Sequence, residues 1–184
     1  MGIAATTSKQ SAMLPVITAK MSGASGLQKT GNILLDSGAQ VSLIRNETAA
    51  MLGLKGKEVS ITITKVGGEE ESISTKEYKV PVSSVDGSSS VSIRAVGIPS
   101  ISDEVAGVNL SQMKASLGLE NELIRRSKGP IDMLIGIDHA NIHKGPTKQG
   151  GQVVARNTPL CWVIFGGSPS NVSENSHGIL HVRL

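Results

Sequence analysis

The sequence around one aspartate restricts the fold of this chain more than any other feature. Residues 32–44 read NILLDSGAQVSLI, so that an apolar run leads directly into Asp36 and a second apolar stretch begins at Val41. An aspartate beside serine and glycine usually belongs to a turn or a helix cap. Here the apolar flanks predict a buried strand, so the carboxylate is half-buried and needs hydrogen-bond donors. The hydroxyl of Ser37 and the backbone N–H of Gly38 can supply them.

An aspartate held in this way suits the hydrolysis of a peptide bond by an activated water. One group must take a proton from the water, and another must donate a proton to the carbonyl oxygen or the leaving nitrogen. Two carboxylates about 3 Å apart do both, because they cannot both ionise and therefore share one proton. The chain contains no second Asp-Ser/Thr-Gly sequence. If Asp36 is catalytic, its partner must come from a second copy of the chain, placed by a two-fold axis.

The remaining pattern predicts a fold made mainly of short strands. Val59, Ile61 and Ile63 alternate with Ser and Thr, which is the period of a strand with one apolar face. A Gly-Gly pair separates this strand from an extended stretch, and two strands joined in this way form a β-hairpin. A short helix is predicted after Asn46, as its N-cap, with Gly53 as its end. The other extended stretches are 14–21, 31–36, 41–44, 72–82, 85–96, 131–139, 151–156 and 159–166.

The length of 184 residues fits one domain with appendages. We expect a flexible arm at 1–12, a folded domain at 13–166 and a mobile tail at 167–184. Within the domain, residues 98–130 lose the alternating pattern and predict an insertion of loops with one or two short helices. The start Met-Gly-x-x-x-Thr fits N-myristoylation, and it equally fits a segment cut from a longer polyprotein.

Composition argues against several classes of function. The net charge of +3 is small and no basic cluster stands out, while the chain has only one Trp, one Tyr and one Phe for stacking on bases. We therefore expect no nucleic-acid partner. The single cysteine, Cys161, excludes an internal disulfide and favours a reducing compartment. No apolar run reaches the ~18 residues of a membrane span, so we expect no membrane partner.

Metal chemistry has a weak signal in two histidine pairs. His139 and His143 are four residues apart, as are His177 and His181, and this spacing can chelate zinc on a helix. A hydrolytic zinc motif places Glu after the first histidine, whereas Ala and Gly stand at those positions. We therefore expect no metal site.

Two further side chains invite a chemical role, and each has a simpler structural one. Cys161 lies in the apolar run PLCWVIF, which predicts a buried thiol rather than a nucleophile. Asp138 is expected to bond a backbone group or an arginine, such as Arg45 or Arg94, rather than to do chemistry.

Taken in order, these segments resemble a known family. LLDSGAQVSLI, the VGG of the hairpin tip and MLIG follow one another as they do in retropepsins, the homodimeric aspartic proteases of retroviruses and retrotransposons. The sequences DSGAQVSLI, ETAAMLGL, GPIDMLIGIDH and CWVIFGG are most similar to the BEL/Pao retrotransposon peptidases. The resemblance covers roughly residues 12–167. It implies an all-β fold, a closed β-barrel or sandwich with a flap hairpin, one or two short helices and an active site shared by a homodimer.

The resemblance also implies roles for individual residues. Asp36 would be the catalytic aspartate, Ser37 would bond to the partner's loop across the dyad, and Gly38 would accept a backbone hydrogen bond from the substrate. Ala39 leaves room for substrate to approach. Gln40 stands where the viral enzymes usually carry Asp, and its amide can still bond substrate backbone.

The flap and the remaining expectations follow from the same resemblance. Val66, Gly67 and Gly68 would form the flap tip that closes over an extended peptide. The implied substrate is the protein's own polyprotein, with no cofactor, in the cytoplasm or within retrotransposon virus-like particles. The alternative is a catalytically silent retropepsin-like module that dimerises or binds peptides; Gln40 and the acidic residues after the flap tip keep it open.

Overall fold

A computed structural model describes residues 12–102 and 104–167 of the chain. The expected arm and tail therefore lie almost entirely outside the described residues. The described part is mostly β-structure, with two short α-helices: α1 (Asn46–Met51) and α2 (Leu110–Leu117). Short 3₁₀ segments span Ala24–Gly26 and Ile137–His143. The strands are β1 (Val16–Ser22), β2 (Gln28–Leu35), β3 (Leu43–Arg45), β4 (Lys57–Thr64), β5 (Glu70–Ser83), β6 (Ser90–Ile98), β7 (Ile131–Ile135), β8 (Thr147–Gly150), β9 (Val153–Asn157) and β10 (Trp162–Gly166).

The strands form two sheets. Seven strands lie in the order β1-β2-β7-β3-β6-β5-β4, and three lie in the order β10-β9-β8. The larger sheet curls until β1 also meets β5, but only through Lys20 opposite Ser83 and Met21 opposite Val82. The resemblance implied a closed barrel or a sandwich, and the closed barrel is therefore wrong, whereas the mostly β fold is confirmed. The long strand β5 reaches β1 with its last residues alone, because its first half pairs with β4, which lies beyond the curled part.

Strand β7 lies between the two strands that flank Asp36. It runs parallel to β2, with Leu134 opposite Leu34, and antiparallel to β3, with Leu134 opposite Leu43. All five residues of β7 are buried. A strand covered on both faces needs a continuous apolar run rather than alternation. The end of β2 and the start of β3 are also buried at successive positions, which explains why the sequences before and after Asp36 are continuously apolar.

The core consists mainly of aliphatic side chains and methionine, as the scarcity of aromatic residues predicts. Its first part lies inside the curled sheet and contains Ile17, Met21, Ile33, Ile44 and Met133, each fully buried. A second part contains apolar residues of the loop that follows Asp36 and of β3, β6 and β7. The apolar face of β4 packs against this second part.

The insertion at 98–130 packs against the smaller sheet. Met113 and Leu117 of α2, with Leu119 and Ile124 behind them, form an apolar cluster with residues of β9 and β10. The two ends of the insertion are joined by paired backbone bonds between Val105 and Gly129. The insertion therefore covers a face of the three-stranded sheet.

Most predicted elements are confirmed, with differences at their ends. Strand β2 begins at Gln28, three residues before the predicted start. Asn46 is the first residue of α1, and no side chain caps that helix, so its predicted role as N-cap is wrong. The short strand β8 was not predicted, because residues 147–150 are exposed and carry no alternation.

Candidate active site

The backbone fixes Asp36 at the point where β2 ends. The N–H of Asp36 donates to the carbonyl oxygen of Ile135 in β7 at 3.0 Å. One residue earlier, the N–H of Leu35 donates to the carbonyl oxygen of Pro15 at 2.9 Å. The strand end is therefore held from both sides, and the Asp36 side chain begins in a fixed position.

The loop after Asp36 is a tight turn that the aspartate itself closes. Its Oδ1 accepts a hydrogen bond from the N–H of Gly38 at 2.9 Å, and its carbonyl oxygen accepts one from the N–H of Ala39 at 3.2 Å. A Cβ at Gly38 would lie 3.2 Å from Asp36 Oδ1, so glycine lets the N–H approach closely. Ser37, Gly38 and Gln40 are exposed, whereas Ala39 is buried. Within the described chain no bond joins the Ser37 hydroxyl to Asp36, so only Gly38 supplies the expected donor.

Gly136, directly after β7, forms the rear wall of this loop. A Cβ at Gly136 would lie 2.7 Å from the carbonyl oxygen of Ala39 and 3.1 Å from that of Val41. Real side chains do not fit at the first of these distances, so the position accepts only glycine without a shift of backbone. The next residue, Ile137, donates its N–H to the same Ala39 oxygen at 2.8 Å.

Ser42 closes the far end of the loop, and sequence reasoning did not identify it. It is completely buried. Its N–H donates to Asp138 Oδ2 at 3.0 Å and its hydroxyl donates to Asp138 Oδ1 at 2.7 Å. The same hydroxyl accepts from the N–H of Gly136 at 3.0 Å. The signal available in the sequence was a serine between two apolar residues, six positions after Asp36.

Asp138 was expected to bond either a backbone group or an arginine. Its bond with the N–H of Ser42 confirms the first of these. The arginine alternative is wrong for both named residues. Arg45 pairs with Glu47 at 2.7 Å and lies 3.7 Å from the buried Asp132. Arg94 contributes its backbone N–H to His139.

Val66, Gly67 and Gly68, the residues predicted to form a flap, lie at the tip of the β4–β5 hairpin. The turn is closed by the N–H of Lys65 donating to the carbonyl oxygen of Glu69 at 2.7 Å. Gly67 and Gly68 have φ of +103° and +84°, a backbone region that favours glycine. Val66 is 81% exposed, and a Cβ on either glycine would meet open space. The tip of the hairpin is thus exposed to solvent.

Strand β4 of the hairpin packs against the same apolar cluster as the Asp36 loop. Val59, Ile61 and Ile63 on β4 are partly buried and pack against the apolar cluster that contains Ala39. Val41 packs against the same cluster. One apolar cluster therefore supports both the hairpin and the Asp36 loop.

A comparison of the sequence with models of protein families gives a match. A family model described as aspartyl protease matches residues 17–139. The chain belongs to the aspartyl protease family. The matched span contains the Asp36 loop, the whole hairpin and Gly136, and it ends before β8–β10. No match was found among curated proteins or among solved structures.

Membership of the aspartyl protease family supports a proteolytic function, and the other candidate chemistries fit the structure less well. The ring of His139 bonds Ser42 and the N–H of Arg94, and Nε2 of His143 lies 2.9 Å from the carbonyl oxygen of Gly136. Each histidine thus already has partners within the fold. The second histidine pair lies outside the described residues.

Cys161 has the character of a structural thiol. Burial, with a smaller effect of the Asp86 charge, raises the pKa of its thiol from 9.0 to about 11. The thiolate is the nucleophilic form of cysteine, so a raised pKa makes this residue unreactive at neutral pH. No helix in the described part of the chain is both long and apolar enough to cross a membrane.

Proposed function

We propose that this protein is a retropepsin-type aspartic endopeptidase of a BEL/Pao retrotransposon, active as a homodimer on its own polyprotein. The observation that carries the proposal is the Asp36 loop. Its carboxylate is fixed at the end of a buried strand, while Ser37 and Gly38 beside it are exposed. Backbone hydrogen bonds hold this loop on the side of the sheet, and its other side is accessible to a substrate. The sequence contains one Asp-Ser/Thr-Gly loop of this kind.

The reaction needs two copies of this loop with one shared proton. The ionised Asp36 of one chain accepts a proton from water as the water oxygen bonds to the substrate carbonyl carbon. The protonated Asp36 of the second chain donates its proton to the carbonyl oxygen. As the C–N bond of the tetrahedral diol breaks, the first Asp36 donates its proton to the leaving nitrogen, and the second Asp36, now ionised, takes a proton from a diol hydroxyl whose oxygen becomes the new carbonyl oxygen. The two carboxyl groups again share one proton.

The hairpin and the loop suit an extended peptide as substrate. A peptide strand can bond to backbone along both, with alternate side chains in separate pockets. The partly buried Val41, Val59, Ile61 and Ile63 favour apolar side chains in those pockets. Glu69, Glu70 and Glu71 follow the flap tip and disfavour acidic substrates. Processing of a retrotransposon polyprotein would take place in the cytoplasm or within virus-like particles.

Replacement of Asp36 by Asn is the direct test. The amide has the size of the carboxyl group but cannot accept a proton, so cleavage of an apolar peptide library should be abolished, with fold and dimer unchanged. Cleavage would be followed by mass spectrometry and the dimer by sedimentation. Asp86→Asn, an exposed aspartate on another turn, is the matched control and should retain activity. Cleavage by Asp36→Asn at the wild-type rate would refute the assignment.

The same experiment separates the second candidate, a silent binding module. Gln40 is exposed beside Asp36, where an amide replaces the charge that viral enzymes use. A wild-type protein that dimerises and retains labelled peptides without cutting them would establish this alternative.

A further inference from the structure

His139 connects three segments of the chain around the candidate active site. Its Nδ1 lies 3.1 Å from the Ser42 hydroxyl and 3.3 Å from Asp138 Oδ1. On the opposite side of the ring, Nε2 accepts a hydrogen bond from the backbone N–H of Arg94 in β6 at 3.2 Å. The side chain is only 18% exposed. The imidazole thus joins β6 and the 3₁₀ segment after β7 to the end of the Asp36 loop.

The hydrogen-bond pattern fixes one state of the ring. A backbone N–H donates to Nε2, so Nε2 carries no proton, and a neutral imidazole then carries its proton on Nδ1. The Ser42 hydroxyl already donates to Asp138 and accepts from Gly136, which leaves one lone pair free. The Nδ1–H of His139 can donate to that lone pair. Ser42 then uses its complete hydrogen-bonding capacity.

We propose that His139, as the neutral Nδ1–H tautomer, is a positioning residue for Asp36. It acts through Ser42, whose hydroxyl also holds the N–H of Gly136. Gly136 in turn is in close contact with the backbone of Ala39, inside the turn that Asp36 closes. If Ser42 moved, Gly136 would move with it and would displace the turn that holds the Asp36 carboxylate. The effect on catalysis rests on the proposed function, whereas the hydrogen-bonded arrangement does not.

Kinetics of three variants test the role in catalysis. His139→Phe fills the space without hydrogen bonds, and His139→Asn keeps a side-chain N–H that can reach Ser42. We expect Phe to lower kcat about tenfold with KM within about twofold, because small misplacements of a catalytic group impair chemistry more than binding. Asn should restore kcat to within about threefold of wild type. Arg94→Ala keeps the backbone N–H and is the control, with unchanged kcat.

A double-mutant cycle tests whether His139 acts through Ser42. If it does, Ser42→Ala combined with His139→Phe should lower kcat no further than Ser42→Ala alone. Additive losses would overturn the proposal, as would a His139→Phe variant with kcat within about twofold of wild type. Thermal unfolding and sedimentation of each variant show whether a loss of kcat reflects the site or the fold.

A measurement on the wild-type protein separates this inference from the proposed function. Nitrogen NMR of the His139 ring should show a protonated Nδ1 and an unprotonated Nε2 at neutral pH. The opposite tautomer would overturn the inference, whatever the activity. If the wild type cleaves no peptide, the proposed function fails, and the NMR spectrum still decides whether His139 holds Ser42 as described.

Discussion

Gly136 lies against the backbone of Ala39 so closely that a Cβ on the glycine would be 2.7 Å from the Ala39 carbonyl oxygen. Its φ is −91°, which other residues adopt, so the requirement for glycine comes from this contact and not from the dihedral angle. We predict that Gly136→Ala lowers the free energy of unfolding by about 2 kcal/mol, because it forces two backbone segments apart in a packed interior. Denaturant unfolding at equilibrium measures the change.

Gly107→Ala is the matched control for this substitution. A Cβ at Gly107 would meet no atom within 4 Å, and its φ lies outside the positive region. Its stability should stay within about 0.5 kcal/mol of wild type, as for other exposed sites. Equal stabilities of the two variants would show that the loop accommodates a methyl group without loss.

The turn at Asp36 could be predicted from sequence because its signals are local. Asp36, its apolar flanks and Gly38 occur within one short stretch, and the alternation of Val59, Ile61 and Ile63 marks strand β4. The hydrogen bonds between Ser42 and Asp138 could not be predicted in this way, because the two residues are 96 positions apart in the sequence. Only pairing of β7 between β2 and β3 brings the two side chains together.

The closed barrel failed as a prediction for a related reason. Alternation indicates a strand but not which strand it meets, so β4 could not be placed beyond the curled part from its sequence. The extent of the β1–β5 contact depends on twist accumulated over the whole sheet. The homodimer stays a prediction, as do the roles of the loop and flap residues.

Asp132 is a buried charge that joins β7 to β2 and α1. Its Oδ1 accepts hydrogen bonds from Lys29 Nζ and from the Thr48 hydroxyl, both at 2.7 Å. We predict that Asp132→Ala lowers the free energy of unfolding by about 3 kcal/mol, because it leaves the partly buried Lys29 cation without its counter-charge and the buried Thr48 hydroxyl without its acceptor. Thermal or denaturant unfolding checks this value.

An exposed partner in the same network provides the comparison. Glu47 pairs with Arg45 at 2.7 Å, but its side chain is 69% exposed. Glu47→Gln should therefore change stability by less than about 1 kcal/mol. A loss as large as that for Asp132→Ala would mean that burial does not determine the strength of these pairs.

Asp86 should contribute a pH-dependent part of stability. Hydrogen bonds from the Ser84 hydroxyl, and then from the N–H and hydroxyl of Ser88, lower the pKa of Asp86 from 3.8 to about 2. A lowered pKa in the folded state means that the stabilisation is complete above about pH 4 and is lost as the pH falls towards 2. Asp86→Asn keeps the acceptor but cannot ionise. Its Tm should lie below that of wild type at pH 5, and the difference should shrink as the pH falls through about 2; a constant difference would contradict the assignment.

The flap tip should affect activity more than stability. Gly67 has φ of +103° in a turn with open space around it. Gly67→Ala places a Cβ in a backbone conformation that costs about 1–2 kcal/mol for residues other than glycine. The exposed turn can relax by changing its dihedral angles, so we expect a Tm within a few degrees of wild type. The tip would then no longer close in its original shape, and kcat/KM should fall at least about tenfold. Gly107→Ala serves again as the control, and unchanged kcat/KM in Gly67→Ala would show that residues 66–68 do not cover the substrate.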